Sequence, residues 1–339
     1  MIYIYHHADD DGYASAATVI TYLIMSKTIS CWDDSRLSLI KFNYDCTDTF
    51  IPYPENGFKD NDDVYLVDIS VSTNTLKNFV QLLNTLRNNN CKFTWIDHHK
   101  SSVNEVFYST LSKLFEINEF EKYIDTSYCA AYNCYKYLIN GKLGVNVIPE
   151  IIRIIDDYDC WKLKLEHTKE FIVGFSLEDL HNPHNPNWYK WLTVRGDSIS
   201  IIRDCINNGI TVNKWLDIDD TNKYNSYSFE TTLCGFKCCA LNVRRNSDIF
   251  RMKNKDDYDV LLSYIYNGNE FIYSIYSTNP NVYCNKIAEL FGGGGHPGAA
   301  GFRSKKLVVN KNVNWKYKLK DNNRKSRYNK LTNKKIQKE

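Results

Sequence analysis

Ile2-Tyr3-Ile4-Tyr5-His6-His7-Ala8-Asp9-Asp10-Asp11-Gly12-Tyr13-Ala14-Ser15-Ala16-Ala17 opens the chain. The apolar residues 2–5 read as a buried strand, and the Ala-rich stretch 13–25 reads as a helix. The turn between them carries two imidazoles and three carboxylates. A strand that delivers such groups into a turn before a helix is the pattern of an open α/β sheet. Such sheets collect their chemistry outside the carboxyl ends of their strands.

Outward from this stretch the alternation continues. Residues 37–43, 64–69 and 93–96 read as strands, and residues 74–87, 127–138 and 149–156 as helices. This βα order predicts a mainly parallel sheet flanked by helices on both faces. Residues 163–225 are polar and helical, broken at His181-Asn182-Pro183-His184-Asn185-Pro186, and read as a helical connector. Strands are expected at 231–243, 258–266 and 270–278, then a helix at 282–291 leading into Gly292-Gly293-Gly294-Gly295-His296-Pro297-Gly298-Ala299-Ala300-Gly301-Phe302. The expected organisation is an α/β domain at 1–162, the connector at 163–226, a smaller α+β domain at 227–303, and a basic tail at 304–339.

The 339 residues, 43% hydrophobic and 24% charged, fit a soluble globular protein of two domains. The eleven cysteines are odd in number and lack Cys-x-x-Cys pairs, and the N-terminus carries no signal peptide. The expectation is a reduced, cytoplasmic protein and not a disulfide scaffold. No apolar run approaches the roughly 18 residues of a membrane span. The net charge of +2 hides a division: residues 303–339 carry +12 and the remainder about −10. A basic tail suits contact with a polyanion such as RNA, and equally a solubilising role.

Four clusters fall at element ends. His7, Asp9 and Asp11 alternate, so an extended turn projects them to one side. Asp10 or Asp11 can equally cap the following helix. Asp68 ends a second apolar run and is a ligand or an ordinary helix cap. Asp97-His98-His99 ends a third, where successive side chains diverge and one imidazole can bind metal while the other faces substrate. Asp156-Asp157-Tyr158-Asp159 lies at a helix end, where carboxylates oppose the helix dipole unless a cation compensates. A carboxylate-rich set with imidazoles suits Mn²⁺ or Mg²⁺, and a pair of such ions can split a phosphate ester. In the second domain the glycine run exposes backbone N–H groups that can form an anion-holding nest beside His296.

These motifs, in this order, resemble the DHH phosphoesterase family, named for the triplet standing here at Asp97-His98-His99. The glycine–histidine run is similar to that of the family's associated substrate-binding domain, and the likeness spans about residues 1–303. Members include inorganic pyrophosphatases, the RecJ single-strand exonuclease, oligoribonucleases and cyclic-dinucleotide phosphodiesterases. The glycine–histidine motif points away from the pyrophosphatases, and the chain is short for RecJ. What remains resembles the oligoribonuclease ("nanoRNase") branch.

The resemblance implies a Mn²⁺-dependent hydrolase with two ions, Mg²⁺ being the other option. It would cut short single-stranded oligonucleotides to mononucleotides through a metal-activated hydroxide. Alternatives are a cyclic or linear dinucleotide phosphodiesterase, a RecJ-like exonuclease, a phosphomonoesterase, and a non-catalytic nucleotide-binding module. By position one metal would use His7, Asp9 and Asp68, and the other Asp11, Asp68, His98 and Asp157. His99 would touch the scissile phosphate, with Asp97 and His98 beside it in the catalytic triplet. Gly293, Gly294, Gly295, His296 and Arg303 would bind substrate. The first motif is compressed relative to a common family form, which leaves His6 a rival to His7. Asp156 and Asp159 are rivals to Asp157.

Overall fold

A computed structural model describes residues 1–43, 51–71, 76–103, 120–179, 181–193, 195–244 and 257–309. The chain divides into two compact units, Met1–Asn213 and Lys214–Glu339. Most of the basic tail, from residue 310, lies outside the described residues, as does Cys46.

In the first unit β1 (Ile2–His7), β2 (Leu37–Phe42), β3 (Asp63–Val67), β4 (Lys92–Asp97) and β5 (Glu121–Ile124) form a sheet of order β2-β1-β3-β4-β5. Every pairing in it is parallel. The alternation of β1 explains why both faces are covered. Ile2 and Ile4 enter one core, beneath helices α1 (Asp10–Met25) and α3 (Ala130–Cys134). Tyr3 and Tyr5 enter the other, with Phe79, Leu82 and Leu86 of α2 (Leu76–Asn88). Strands buried on both faces read as continuous apolar runs, which is why 2–5 and 93–96 stand out in the sequence. The short β5, Glu-Lys-Tyr-Ile at the sheet edge, carries no such run and was not expected.

Helix α1 starts at Asp10 because Asp9 caps it: an Asp9 carboxylate oxygen accepts the Gly12 N–H at 2.9 Å. Gly12 is needed for space, since a Cβ there would lie 2.2 Å from the His7 carbonyl oxygen. The helix therefore begins against the end of its own strand. Further on, α3 passes into a wider π turn over Tyr135–Gly141, and α4 (Glu150–Asp159), α5 (Thr168–Phe175) and α6 (Asn187–Thr193) follow. Trp32 donates its indole N–H to Pro183 O at 2.8 Å, which ties the Pro-rich break to this unit.

The long helix α7 (Arg195–Tyr227) runs through the boundary between the units. The second unit has a six-stranded mixed sheet, with β6 (Phe229–Leu233), β7 (Phe236–Leu241), β8 (Val260–Tyr266), β9 (Phe271–Ser277), β10 (Gly294–Gly295) and β11 (Ala299–Ser304). Its order is β10-β11-β9-β8-β7-β6, and only β7 and β8 pair in parallel. The expected single strand at 231–243 is a hairpin. Cys234 and Gly235, at φ +53° and +85°, make its two-residue turn. Helix α8 (Cys284–Glu289) covers the sheet, and Phe302 stacks on Tyr273 and Phe291. The ten described cysteines are all free, and no described helix is long and apolar enough to cross a membrane.

Candidate metal centre

The strand order 2-1-3-4-5 opens a crevice at the carboxyl ends of β1 and β3, where the connections leave in opposite directions. The acidic and imidazole clusters of the first unit gather there. At the end of β1 the two histidines separate by the period of two. His6 turns inward against Tyr13 and donates from Nδ1 to the His7 carbonyl at 2.7 Å. Burial pushes its pKa down to about 4, so it is neutral at physiological pH. His7 faces the crevice, with Nδ1 2.6 Å from Asp9 Oδ2 and 3.7 Å from Asp68 Oδ2. The pull of these two carboxylates, Asp68 foremost, holds its pKa up to about 10.

Asp68 follows β3 in the left-handed region, at φ +55°. Aspartate is one of the few side chains that tolerate it. Its carboxylate is buried, with Oδ1 3.4 Å from His98 Nε2. Oδ2 is enclosed and has no partner within hydrogen-bond distance. Asp11 is buried beneath it and accepts the N–H groups of Ala130 and Ala131, both at 2.7 Å, at the start of α3.

The triplet at the end of β4 divides its roles. Asp97 points inward, fully enclosed, accepting from His99 Nδ1 at 2.8 Å and from Ser102 Oγ at 2.5 Å. Burial opposes its charge, yet these two donors keep its pKa low. His98 points the other way. Its Nε2 stands 3.6 Å from Asp11 Oδ2, 3.4 Å from Asp68 Oδ1 and 3.6 Å from Asp159 Oδ2.

Asp157 does not join this group. One of its oxygens accepts from Lys164 N–H at 2.9 Å; the other accepts from Leu165 N–H at 3.1 Å and Thr168 Oγ1 at 2.6 Å. It organises the loop after α4. Asp156 is likewise committed, to Cys129 N–H at 2.8 Å and Lys162 Nζ at 2.6 Å. The carboxylate of this cluster that stands beside His98 is that of Asp159. Two residues along a helix rotate the side chain by about 200°, so the two carboxylates leave opposite faces. Asp10 is also outside the cluster: it meets His181 Nε2 at 2.7 Å, and that imidazole stacks on Tyr13.

The electrostatics are those of carboxylates and imidazoles crowded together out of water. Burial, then mutual repulsion, holds the Asp11 carboxyl well above the ordinary range. Burial also raises Asp68, and holds Asp159 up to about 6. Burial alone would lower His98, but Asp68, then Cys160 and Asp11, push it up to about 12. Its proton neutralises the carboxylates around it. Three sets bring ligand atoms within 4.8 Å of one another: His7 with Asp9 and Asp68; Asp68 with His98 and His99; and His98 with Asp159 and Cys160. The unsatisfied Asp68 Oδ2 lies within the first set. The donor chemistry fits divalent cations.

In the second unit two N–H groups of the glycine run are taken up within the fold. The N–H of Gly292 bonds to Glu289 O at 3.2 Å and that of Gly293 to Ala288 O at 2.9 Å, closing the end of α8. Gly292 takes φ +80° to do so. Gly294 and Gly295 pair with Gly301 and Ala300. A Cβ on Gly293 would lie 2.2 Å from Gly301 O, so the glycines permit close strand approach. His296 and Ala299 exchange backbone hydrogen bonds across the turn, which leaves the imidazole exposed. Arg303 pairs with Glu270 at 3.0 Å.

No family model matches the sequence, and no curated protein does. Solved structures do match. A DHH domain, described as coming from a member of a family of ribosomal proteins, is 14% identical. It superposes with a TM-score of 0.51 over 96% of this chain and 85% of that one. A pGpG-specific phosphodiesterase from Vibrio cholerae is 11% identical, with a TM-score of 0.46 over 98% and 99% of the two chains. RecJ from Thermus thermophilus in complex with Mn²⁺ is 11% identical, with a TM-score of 0.43 over 89% of this chain and 49% of that one. The first superposition shows that the chain has the fold of a DHH-domain protein.

Proposed function

We propose that the chain is a metal-dependent phosphodiesterase of the DHH type that hydrolyses short oligonucleotides to mononucleotides. One observation carries this reading. Two imidazoles and four carboxylates, from His7, His98, Asp9, Asp11, Asp68 and Asp159, meet outside the ends of adjacent parallel strands. His98 Nε2 lies 3.4–3.6 Å from three of those carboxylates. The DHH-domain fold and the order of the motifs support it.

His7, Asp9 and Asp68 would hold one cation, and Asp68, His98, Asp159 and Asp11 the other, Mn²⁺ being the expected ion and Mg²⁺ a possible substitute. Bound there, such ions neutralise charge on phosphoryl oxygens and lower the pKa of water. The chain's own groups do the rest. Asp97 accepts from His99 Nδ1 and fixes which nitrogen of that ring is free. Ser102 locks Asp97 in turn. Asp97 also raises the pKa of His99 against the effect of burial, which favours a proton on the ring that can pass to a leaving oxygen. His296 of the second unit is the candidate for holding a terminal phosphate; its neighbouring glycines shape the turn that presents it.

The test is incubation with Mn²⁺ and four substrates: a labelled dinucleotide, a pentanucleotide, a cyclic dinucleotide and a long single strand. The expected result is conversion of the short linear substrates to mononucleotides. Degradation of the long strand alone would refute the short-substrate reading. Binding of all four without cleavage would make the chain a binding module.

A further inference from the structure

The two halves of the centre differ in their donors. The set around His7 adds only carboxylates, those of Asp9 and Asp68. The set around His98 adds the Asp159 carboxylate and the thiol of Cys160, all within 4.8 Å of one another. Cys160 caps the end of α4, its N–H bonding back to Asp156 O at 3.2 Å. Its Sγ lies 3.6 Å from Asp156 Oδ1. Asp156 is a poor competitor for a cation, because its charge is already paired with the Lys162 ammonium at 2.6 Å. The thiol is therefore the available donor between that carboxylate and the His98 ring. Asp68 reaches towards both halves: its Oδ1 stands 3.4 Å from His98 Nε2, and its enclosed Oδ2, without a hydrogen bond, lies on the His7 side.

We propose that Cys160 is a ligand of the His98–Asp159 half, which makes the centre asymmetric. This rests on the metal-centre reading above. The half built on His98 accepts Mn²⁺ when that ion alone is supplied but prefers borderline and soft divalent cations such as Zn²⁺ and Cd²⁺, and the half built on His7 prefers hard ones such as Mn²⁺. On binding, the S–H bond breaks, the sulfur electron pair goes to the cation, and the proton leaves to water.

The probe is Co²⁺ titrated into the full chain after chelator treatment. Visible d–d absorption reports uptake, and a near-ultraviolet thiolate-to-cobalt band reports sulfur. Both are expected in the wild type, and Cys160→Ser should lose only the second. In chelator competition that substitution should weaken Cd²⁺ binding about tenfold or more and leave Mn²⁺ within about twofold. X-ray absorption of the wild-type protein with one equivalent of Zn²⁺ should show a Zn–S shell at about 2.3 Å, which needs no variant to fold. Visible absorption without the thiolate band, no sulfur shell, or a band that persists in Cys160→Ser would overturn the ligand assignment and leave the centre standing. Absence of any Co²⁺ uptake would remove both.

Discussion

Replacing Asp159 by asparagine should stabilise the protein stripped of metal, whereas the same change at Asp157 should weaken it. Burial first, then Asp68 and Asp9, holds the Asp159 carboxyl up to about 6, against an ordinary value of 3.8 and despite the attraction of His98. A difference of about two pH units is worth ~3 kcal/mol. Water reaches part of the side chain, and screening reduces this to about 1–2 kcal/mol. The unfolded carboxyl ionises first as pH rises. The fold therefore loses this stability between about pH 4 and 6 and stays depressed above that. Asp159→Asn removes the loss, so its gain should be absent near pH 4 and complete at pH 7.5.

Asp157 is the opposite case: burial opposes its charge, but Thr168 and two backbone N–H groups keep its pKa low. An amide NH₂ facing those donors should cost about 2–3 kcal/mol. Urea unfolding of chelator-treated protein at the two pH values, with and without Mn²⁺, reads both effects. Added Mn²⁺ should stabilise the wild type and Asp157→Asn, and much less so Asp159→Asn. A less stable metal-free Asp159→Asn protein at pH 7.5, or an Asp157→Asn protein that no longer responds to Mn²⁺, would refute the reasoning.

Three further outcomes are expected. Asp97→Asn should lower kcat by about 10²–10⁴ with little change in KM, because the enclosed Asp97 sets the His99 tautomer; wild-type kcat would show that this contact is idle. His98 carries a proton that must leave before Nε2 can bind a cation, so Mn²⁺ affinity should rise with pH by roughly tenfold per unit for each proton released. Calorimetry in buffers of different ionisation enthalpy counts those protons, and a count of zero contradicts the assignment. Gly293→Ala should destabilise the second unit by roughly 1–3 kcal/mol, since its Cβ would lie 2.2 Å from Gly301 O; an unchanged melting profile would mean that the strands can separate there.

The sheet was legible because burial on both faces writes itself as apolar runs, as at residues 2–5 and 93–96. The motifs at the ends of β1, β3 and β4 were legible for the same reason, each being the first polar residues after a run. What escaped reading depends on three-dimensional direction. Asp157 and Asp159 look alike in sequence, and only the rotation of α4 decides which one meets His98. Ser102, which locks Asp97, and His181, which meets Asp10 from 171 positions away, carry no local signal. The β6–β7 turn was missed because Cys-Gly stands where Asn-Gly or Asp-Gly usually marks a hairpin. The glycine run was read as an anion nest because its composition permits one. The N–H groups of Gly292 and Gly293 close a helix, and the missing side chains of Gly293 and Gly295 admit a strand.

The account stands on cations held at the ends of β1, β3 and β4. Anomalous diffraction from crystals soaked in Mn²⁺ tests it most directly. Two peaks are predicted, one bounded by His7, Asp9 and Asp68 and one by Asp68, His98 and Asp159, with Asp157 facing its loop. Density at neither position, with these side chains pointing apart, would contradict it.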